Sequence, residues 1–204
     1  MKKFELTNEF ITNMFGTKLF RIRALVEFGD VEAGELGGYV EKESNLGHDD
    51  NAWVYDNAWV YGDAQVSGDA LVYDNAWVYG DAQVSGDALV YGNARVYGNA
   101  WVYGNAWVYG NAWVYGNALV CSDEDYAYAH GFGSVNRTTT FFRLKDGGVG
   151  VRCGCFYGTL AQFRDKIRET HGESAIAEEY LDLAALMEKR FRRTGNEQKT
   201  EEES

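Results

Sequence analysis

Residues 101–118 read WVYGNAWVYGNAWVYGNA, three copies of one six-letter unit. The period extends well beyond them. Alanine recurs every six residues from Ala52 to Ala118, twelve times without a miss, and valine keeps the same register from Val54 to Val120. A helix is excluded, because a period of six would smear Ala and Val around its circumference. Ala-x-Val followed by Tyr or Ser fits a short strand with Ala and Val on one face. The pairs that follow, Gly-Asn, Gly-Asp and Asp-Asn, are residue types that accept positive φ, so each pair is a corner.

A strand and a corner every six residues must coil into a solenoid, each strand pairing with the coil above. The substitutions fix the number of sides. AQVSGDALVY occurs at 64–73 and again at 82–91, a shift of eighteen, and Asp56/Asp74 and Trp59/Trp77 echo at the same distance. Eighteen is three sixes, which predicts a three-sided prism. Its twelve units make four coils, about 19 Å tall at a strand spacing of about 4.8 Å.

This pattern resembles the left-handed parallel β-helix of hexapeptide-repeat proteins, with the alanines as the small inward position and the valines as the aliphatic one. The resemblance alone implies the left hand, since physical rules favour right-handed crossovers between parallel strands. FRIRALVEFGDVEAGELGGYVEKESNL at 20–46, followed by NAWVYDNA, is similar to the head of uncharacterised bacterial and phage hexapeptide-repeat proteins. TTTFFRLKDGGVGVRCGCFYGTLAQF at 138–163 resembles the C-terminal module attached to such repeats in phage and prophage proteins. That family carries no established activity to transfer.

The expected organisation is an N-terminal cap and degenerate coil over 1–51, the β-helix over 52–120, and a C-terminal α+β module over 121–193. An acidic, disordered tail is expected over 194–204. KLFRIRALVEF reads as a strand, and Gly37 and Gly38 as a tight turn. In the C-terminal module, 138–157 reads as a hairpin turning at Asp146-Gly147-Gly148. Thr159 and Gln162 form a capping box for a helix that ends near Gly172. A second helix from about Ser174 would bury Ile176, Tyr180, Leu183, Met187 and Phe191.

Stacking every eighteenth residue gives the outward rows. Trp53, Leu71, Leu89 and Trp107 lie beside Tyr55, Tyr73, Tyr91 and Tyr109 on the first face. Trp59, Trp77, Arg95 and Trp113 lie beside Tyr61, Tyr79, Tyr97 and Tyr115 on the second. The third starts with Gln65, Gln83, Ser67 and Ser85 and turns to Trp101 and Tyr103, then Leu119 and Cys121. Such rows are either in-register ladders that stabilise the coils or an apolar patch larger than a monomer usually exposes. Trp53, Tyr55, Trp59, Tyr61, Trp77, Tyr79, Trp101, Trp107, Tyr109, Trp113 and Tyr115 are therefore the candidate surface for a partner or a second copy. At the corners Asn57, Asn75, Asn93 and Asn111 should form an Asn ladder, while Asp63 lies above Asp81 and Asp69 above Asp87.

The formal charge of -12 argues against nucleic acid, whose binding is driven by Lys and Arg. It favours solubility, basic partners or imitation of nucleic acid instead. No apolar run is long enough to span a bilayer, and MKKFELTNEF lacks the apolar stretch of a secretion signal. Three cysteines without such a signal point to reduced thiols in a cytoplasm.

Enzymes built on hexapeptide repeats need a histidine base or several histidine ligands on the coils, and residues 49–129 contain none. No catalytic residue, cofactor or metal is expected. Cys153 and Cys155 have C-x-C spacing, unlike zinc pairs, and read as small buried hydrophobes on one strand face. His130 in YAYAHGFG reads as a linker residue. The expected function is non-enzymatic binding of a host or viral protein by a phage or prophage protein, with inhibition of a host defence as one form of it. A glycan-binding β-helix is the alternative, and an acyltransferase a weaker one. Side-by-side packing of β-helices, often three together, is the homo-oligomer that the resemblance implies.

Overall fold

Every repeat alanine from Ala52 to Ala118 and every repeat valine from Val54 to Val120 is fully buried. These residues form the axis of a three-sided parallel β-helix in a computed structural model that describes residues 2–133 and 135–202. Side chains of the last helix are described as far as Arg193. Twelve short strands, from β4 (Trp53–Val54) to β15 (Leu119–Val120), supply the sides. Their register is the eighteen-residue one throughout. Trp53 pairs with Leu71, Leu71 with Leu89 and Leu89 with Trp107 on the first face. Trp59, Trp77, Arg95 and Trp113 align on the second. Gln65, Gln83, Trp101 and Leu119 align on the third.

Backbone rungs join the coils: Trp59 N donates to Ala76 O at 2.9 Å and Tyr61 N to Val78 O at 3.1 Å. Corner glycines from Gly62 to Gly116 have φ between 62 and 73°. Asp56 and Asp74 adopt φ of 52 and 60° at the same corner position. There the carboxylate recovers part of the strain. Asp74 Oδ2 accepts from Gly92 N of the next coil at 3.0 Å. The Asn column is held mainly by its backbone, with one side-chain rung in it, Asn93 Nδ2 to Asn111 Oδ1 at 3.4 Å.

A degenerate coil precedes the regular ones. In β3 (Leu36–Val40), Tyr39 and Val40 pair in parallel with Trp59 and Val60, and Leu46 bridges Val66. Gly37 and Gly38, expected in a tight turn, lie inside β3. A Cβ on Gly37 would stand 2.5 Å from Val54 O, and one on Gly38 2.7 Å from Ala58 O. Close approach to the first coil requires glycine there, not the bend of a turn. Buried Asn45 plugs this coil by donating to Gly62 O at 3.0 Å and Ala64 O at 2.8 Å.

The cap is an antiparallel hairpin, β1 (Phe4–Thr12) and β2 (Lys18–Ala24), with β2 pairing to β3. Phe4 and Phe28 close over Trp53, with ring centroids 6.2 and 5.3 Å away. Buried Lys3 donates from Nζ to Ala52 O at 2.8 Å, so it satisfies a carbonyl that the coil leaves open.

The C-terminal module is a four-stranded antiparallel sheet in order β16 (Tyr126–Phe132), β17 (Arg137–Arg143), β18 (Val149–Cys153) and β19 (Phe156–Thr159). The predicted hairpin is its middle. His130, expected in a linker, belongs to β16, where the Tyr-Ala-Tyr-Ala alternation pairs Tyr126 and Tyr128 with Phe142 and Thr140. Helices α1 (Leu160–His171) and α2 (Ala175–Glu202) cover the sheet. The Thr159–Gln162 capping box opens α1, and Gly172 at φ 58° ends it.

Tyr180, Leu183, Met187 and Phe191 of α2 are buried against Phe163 and Ile167 of α1. Ile176 is only partly buried. The tail expected to be disordered from 194 continues α2 as far as Glu202, and 203–204 lie outside the described residues. Glu, Gln and Lys are good helix formers, and extending an existing helix needs no new nucleus.

Asp125 welds module to solenoid. It is buried, pairs with Arg143 Nε at 2.8 Å and accepts from Cys121 N at 3.1 Å. Burial pushes its carboxyl upward, but the bonds from Cys121 and Arg143 outweigh that and hold it below the ordinary value.

Replacing Gly86 by Ala is expected to cost about 1–3 kcal/mol, because φ is positive and the new Cβ would meet Gly104 N at 2.9 Å. Asp74→Gly, which exchanges one hydrogen bond for relief of a strained φ, should cost clearly less. Urea midpoints of the two variants check the order.

Candidate interaction surface

The outward rows divide into stacked columns and a solvent-facing corner. On the second face Trp59 and Trp77 stack with centroids 4.5 Å apart and planes 6° from parallel. Arg95 continues the column between Trp77 and Trp113, its guanidinium 4.2 and 4.9 Å from their rings. Arg152 of β18 closes the column over Trp113 at 5.0 Å. Cation–π contact explains how a charged residue fits a row of indoles.

The neighbouring column stacks Tyr61, Tyr79, Tyr97 and Tyr115 at 5.0, 4.7 and 4.2 Å and ends on Tyr157 of β19. At its other end Leu19 of the N-terminal hairpin packs with Tyr39 and Tyr61. On the first face Tyr73, Tyr91 and Tyr109 stack at 4.8 and 5.3 Å, and Tyr126 and Tyr128 close the column edge-on.

Two residues of the expected surface are therefore not surface at all. Trp53 is fully buried beneath Phe4 and Phe28, because the first coil is where the cap seats. Tyr61 is buried by the same hairpin's Leu19. Tyr55 is half-buried against the core, and Trp59, Trp77, Tyr79, Trp113 and Tyr115 are half-buried in their columns. The remaining three, Trp101, Trp107 and Tyr109, are exposed at 42, 46 and 39%.

Tyr103, absent from the expected set, joins them at 37%. Its place two residues after Trp101 was the available signal. Trp101 and Tyr103 stand on the third face and Trp107 and Tyr109 on the first, so the four flank the corner that joins the third coil to the fourth. Asp123 accepts from Trp107 N at 2.8 Å and places a carboxylate beside that corner. Lys145 Nζ lies 4.0 Å from the Trp101 ring and shows that this indole takes a cation.

The cysteines are not brought together with the histidines as a ligand set. Among the described residues no three His, Cys, Asp or Glu side chains converge as a metal site would require. Cys155, expected inside a strand, is exposed, since β18 ends at Cys153 and the chain turns through Gly154 at φ 58°. Cys153 is half-buried and accepts from Thr139 Oγ1 at 3.2 Å. Burial pushes the Cys121 thiol up to about 11, with the bond to Asp125 adding to it. It is a poor nucleophile. Among the described residues no helix is long and apolar enough to cross a membrane.

Burial raises the Tyr61, Tyr73, Tyr79, Tyr91 and Tyr97 phenols above their ordinary value of 10.0. A group whose folded value is raised contributes stability that is full below the unfolded value and is lost as pH climbs beyond it. The coils should therefore hold below about pH 10 and unfold above it, with tyrosinate absorbance rising together with loss of the β signal in circular dichroism. Complete phenol ionisation near pH 10 with an intact β signal would contradict this account of the columns.

Residues 64–80, 82–96, 90–104, 94–110 and 100–116 match a family model described as YdcK Beta solenoid repeat. No curated protein matches the chain. The matched segments lie within the coils and reach neither end, so the match characterises residues 64–116 as a β-solenoid repeat.

Proposed function

We propose that this is a non-enzymatic binding protein that engages a host or viral protein through the aromatic corner Trp101, Tyr103, Trp107 and Tyr109. One observation carries it. Among the described residues these are the coil aromatics that remain exposed, two adjacent Trp–Tyr pairs around one corner, with Tyr109 also ending its tyrosine column. Trp and Tyr supply most of the binding energy at protein interfaces, and adjacent pairs form the kind of patch that a monomer rarely leaves bare. A net charge of -12, with Asp87 and Asp123 exposed next to the corner, favours a partner that presents Arg or Lys. The resemblance of 20–46 to bacterial and phage repeat proteins, and of 138–163 to a phage and prophage module, supports a phage or prophage origin, and action in a bacterial cytoplasm against a host defence is the setting proposed with it. The resemblance also supports a homo-oligomer of side-by-side β-helices.

Trp101→Ser with Trp107→Ser should leave folding stability within about 1 kcal/mol, because both rings face water. Retention of the partner from host lysate is expected to fall at least tenfold at unchanged mass by light scattering. Equal retention by both proteins would remove this surface from the function. A fall in mass instead would make the corner an interface between copies, and ring-dependent binding on a glycan array would favour a carbohydrate ligand.

A further inference from the structure

A second feature lies apart from that corner, where the C-terminal sheet leans on the second face of the last coil. There a cleft of about 380 Å³ opens between Trp113 and Asn111 on one side and β16–β18 on the other. Its volume is in the range of small-molecule sites. Its charge is the informative property. The chain carries 31 Asp and Glu against 19 Lys and Arg, yet no carboxylate lines the cleft among the described residues, whereas Arg137, Arg152 and His130 do.

The two arginines differ in a useful way. Arg152 is fixed: Nε donates to Tyr97 Oη at 3.3 Å, Nη1 donates to Phe156 O at 3.0 Å, and the group lies over Trp113. These bonds leave Nη2 to a ligand. Arg137 is exposed and forms no ion pair among the described residues. Its Nη1 lies where a Cβ on Gly154 would stand, so glycine at this turn makes room for the guanidinium at the cleft. Asn111 adds a donor, since its Oδ1 is engaged by Asn93 and its Nδ2 is left. His130 is oriented by a 2.9 Å bond between Nδ1 and Thr138 Oγ1, which leaves Nε2 as a further polar group.

We propose that this cleft binds a phosphate monoester, with Arg137 and Arg152 gripping the phosphate. Guanidinium forks match phosphate oxygens in pairs, and charge-assisted bonds of this kind are the strong ones. A monoester presents three free oxygens and up to two negative charges, so it can engage both guanidinium forks and the Asn111 amide at once with more charge than a single carboxylate carries. The volume beyond the arginines holds the organic part.

The test is calorimetric titration of the full chain with inorganic phosphate, glucose 6-phosphate, adenosine monophosphate and malonate. Binding of at least one phosphate is expected, weakening as salt rises, with malonate weaker. Arg137→Ala should lower that affinity at least tenfold without changing circular dichroism. Arg137→Lys, which keeps the charge and loses the fork, should fall between the two. Preference among the three phosphates identifies the source of the group: free phosphate, a sugar phosphate or a nucleotide. No binding of any phosphate, tighter binding of malonate, or equal affinity in native and Arg137→Ala protein would each overturn the proposal.

Discussion

In the regular coils alanine and valine alone fill the interior of the prism, and the rest of the molecule follows from that. Three walls meet around one column, so each coil contributes three alanines and three valines, all without solvent contact. A wall of two or three residues makes few hydrogen bonds by itself. Its stability comes from repetition, because each rung pairs with the coil above and below and each buried methyl touches its copies. Any slip in register would put an outward Trp or Tyr into a space sized for valine, which makes the eighteen-residue spacing strict.

Repetition also creates a hazard, since an open coil is a template for further strands. Both ends answer it by changing strand direction. At the first coil β3 runs parallel to the coils but takes β2 antiparallel on its other side. At the last, Ala118 is bridged antiparallel to Leu144, and Asp125 with Arg143 anchors the turn of the chain. The stacked arginines belong to the same device. Arg95 is a cation between two indoles within the column, and Arg152 repeats the contact from outside, so the module docks on the solenoid by imitating one more coil.

The coils were legible because one constraint repeats twelve times. Period, number of sides, inward positions and corner chemistry all follow from residues 52–120. Local signals served equally well where one element decides its own shape, as in the Thr159–Gln162 capping box and the stop at Gly172. Sequence reasoning failed where tertiary packing gives a residue its meaning. Gly37 and Gly38 carry a turn's composition, but their glycine is demanded by backbone atoms that come near only in the fold. Trp53 repeats the outward position of Trp107, and nothing local tells the two apart, because its burial depends on Phe4 and Phe28. The cleft between Asn111 and Gly154 has no sequence signature, since its walls come from separate segments.

The columns on the second face run unbroken from the N-terminal hairpin, through Leu19 against Tyr61, to Tyr157 and Arg152 of the C-terminal module. Both ends are thereby fixed to the same side of the prism. A duplication or deletion of one hexapeptide would turn one end by a third of a revolution against the other and leave both without their seats. A change of eighteen residues would preserve their angular phase and alter length alone. The molecule can thus vary in height only in steps of a whole coil, about 4.8 Å each. It is a ruler whose divisions are set by the seating of its ends.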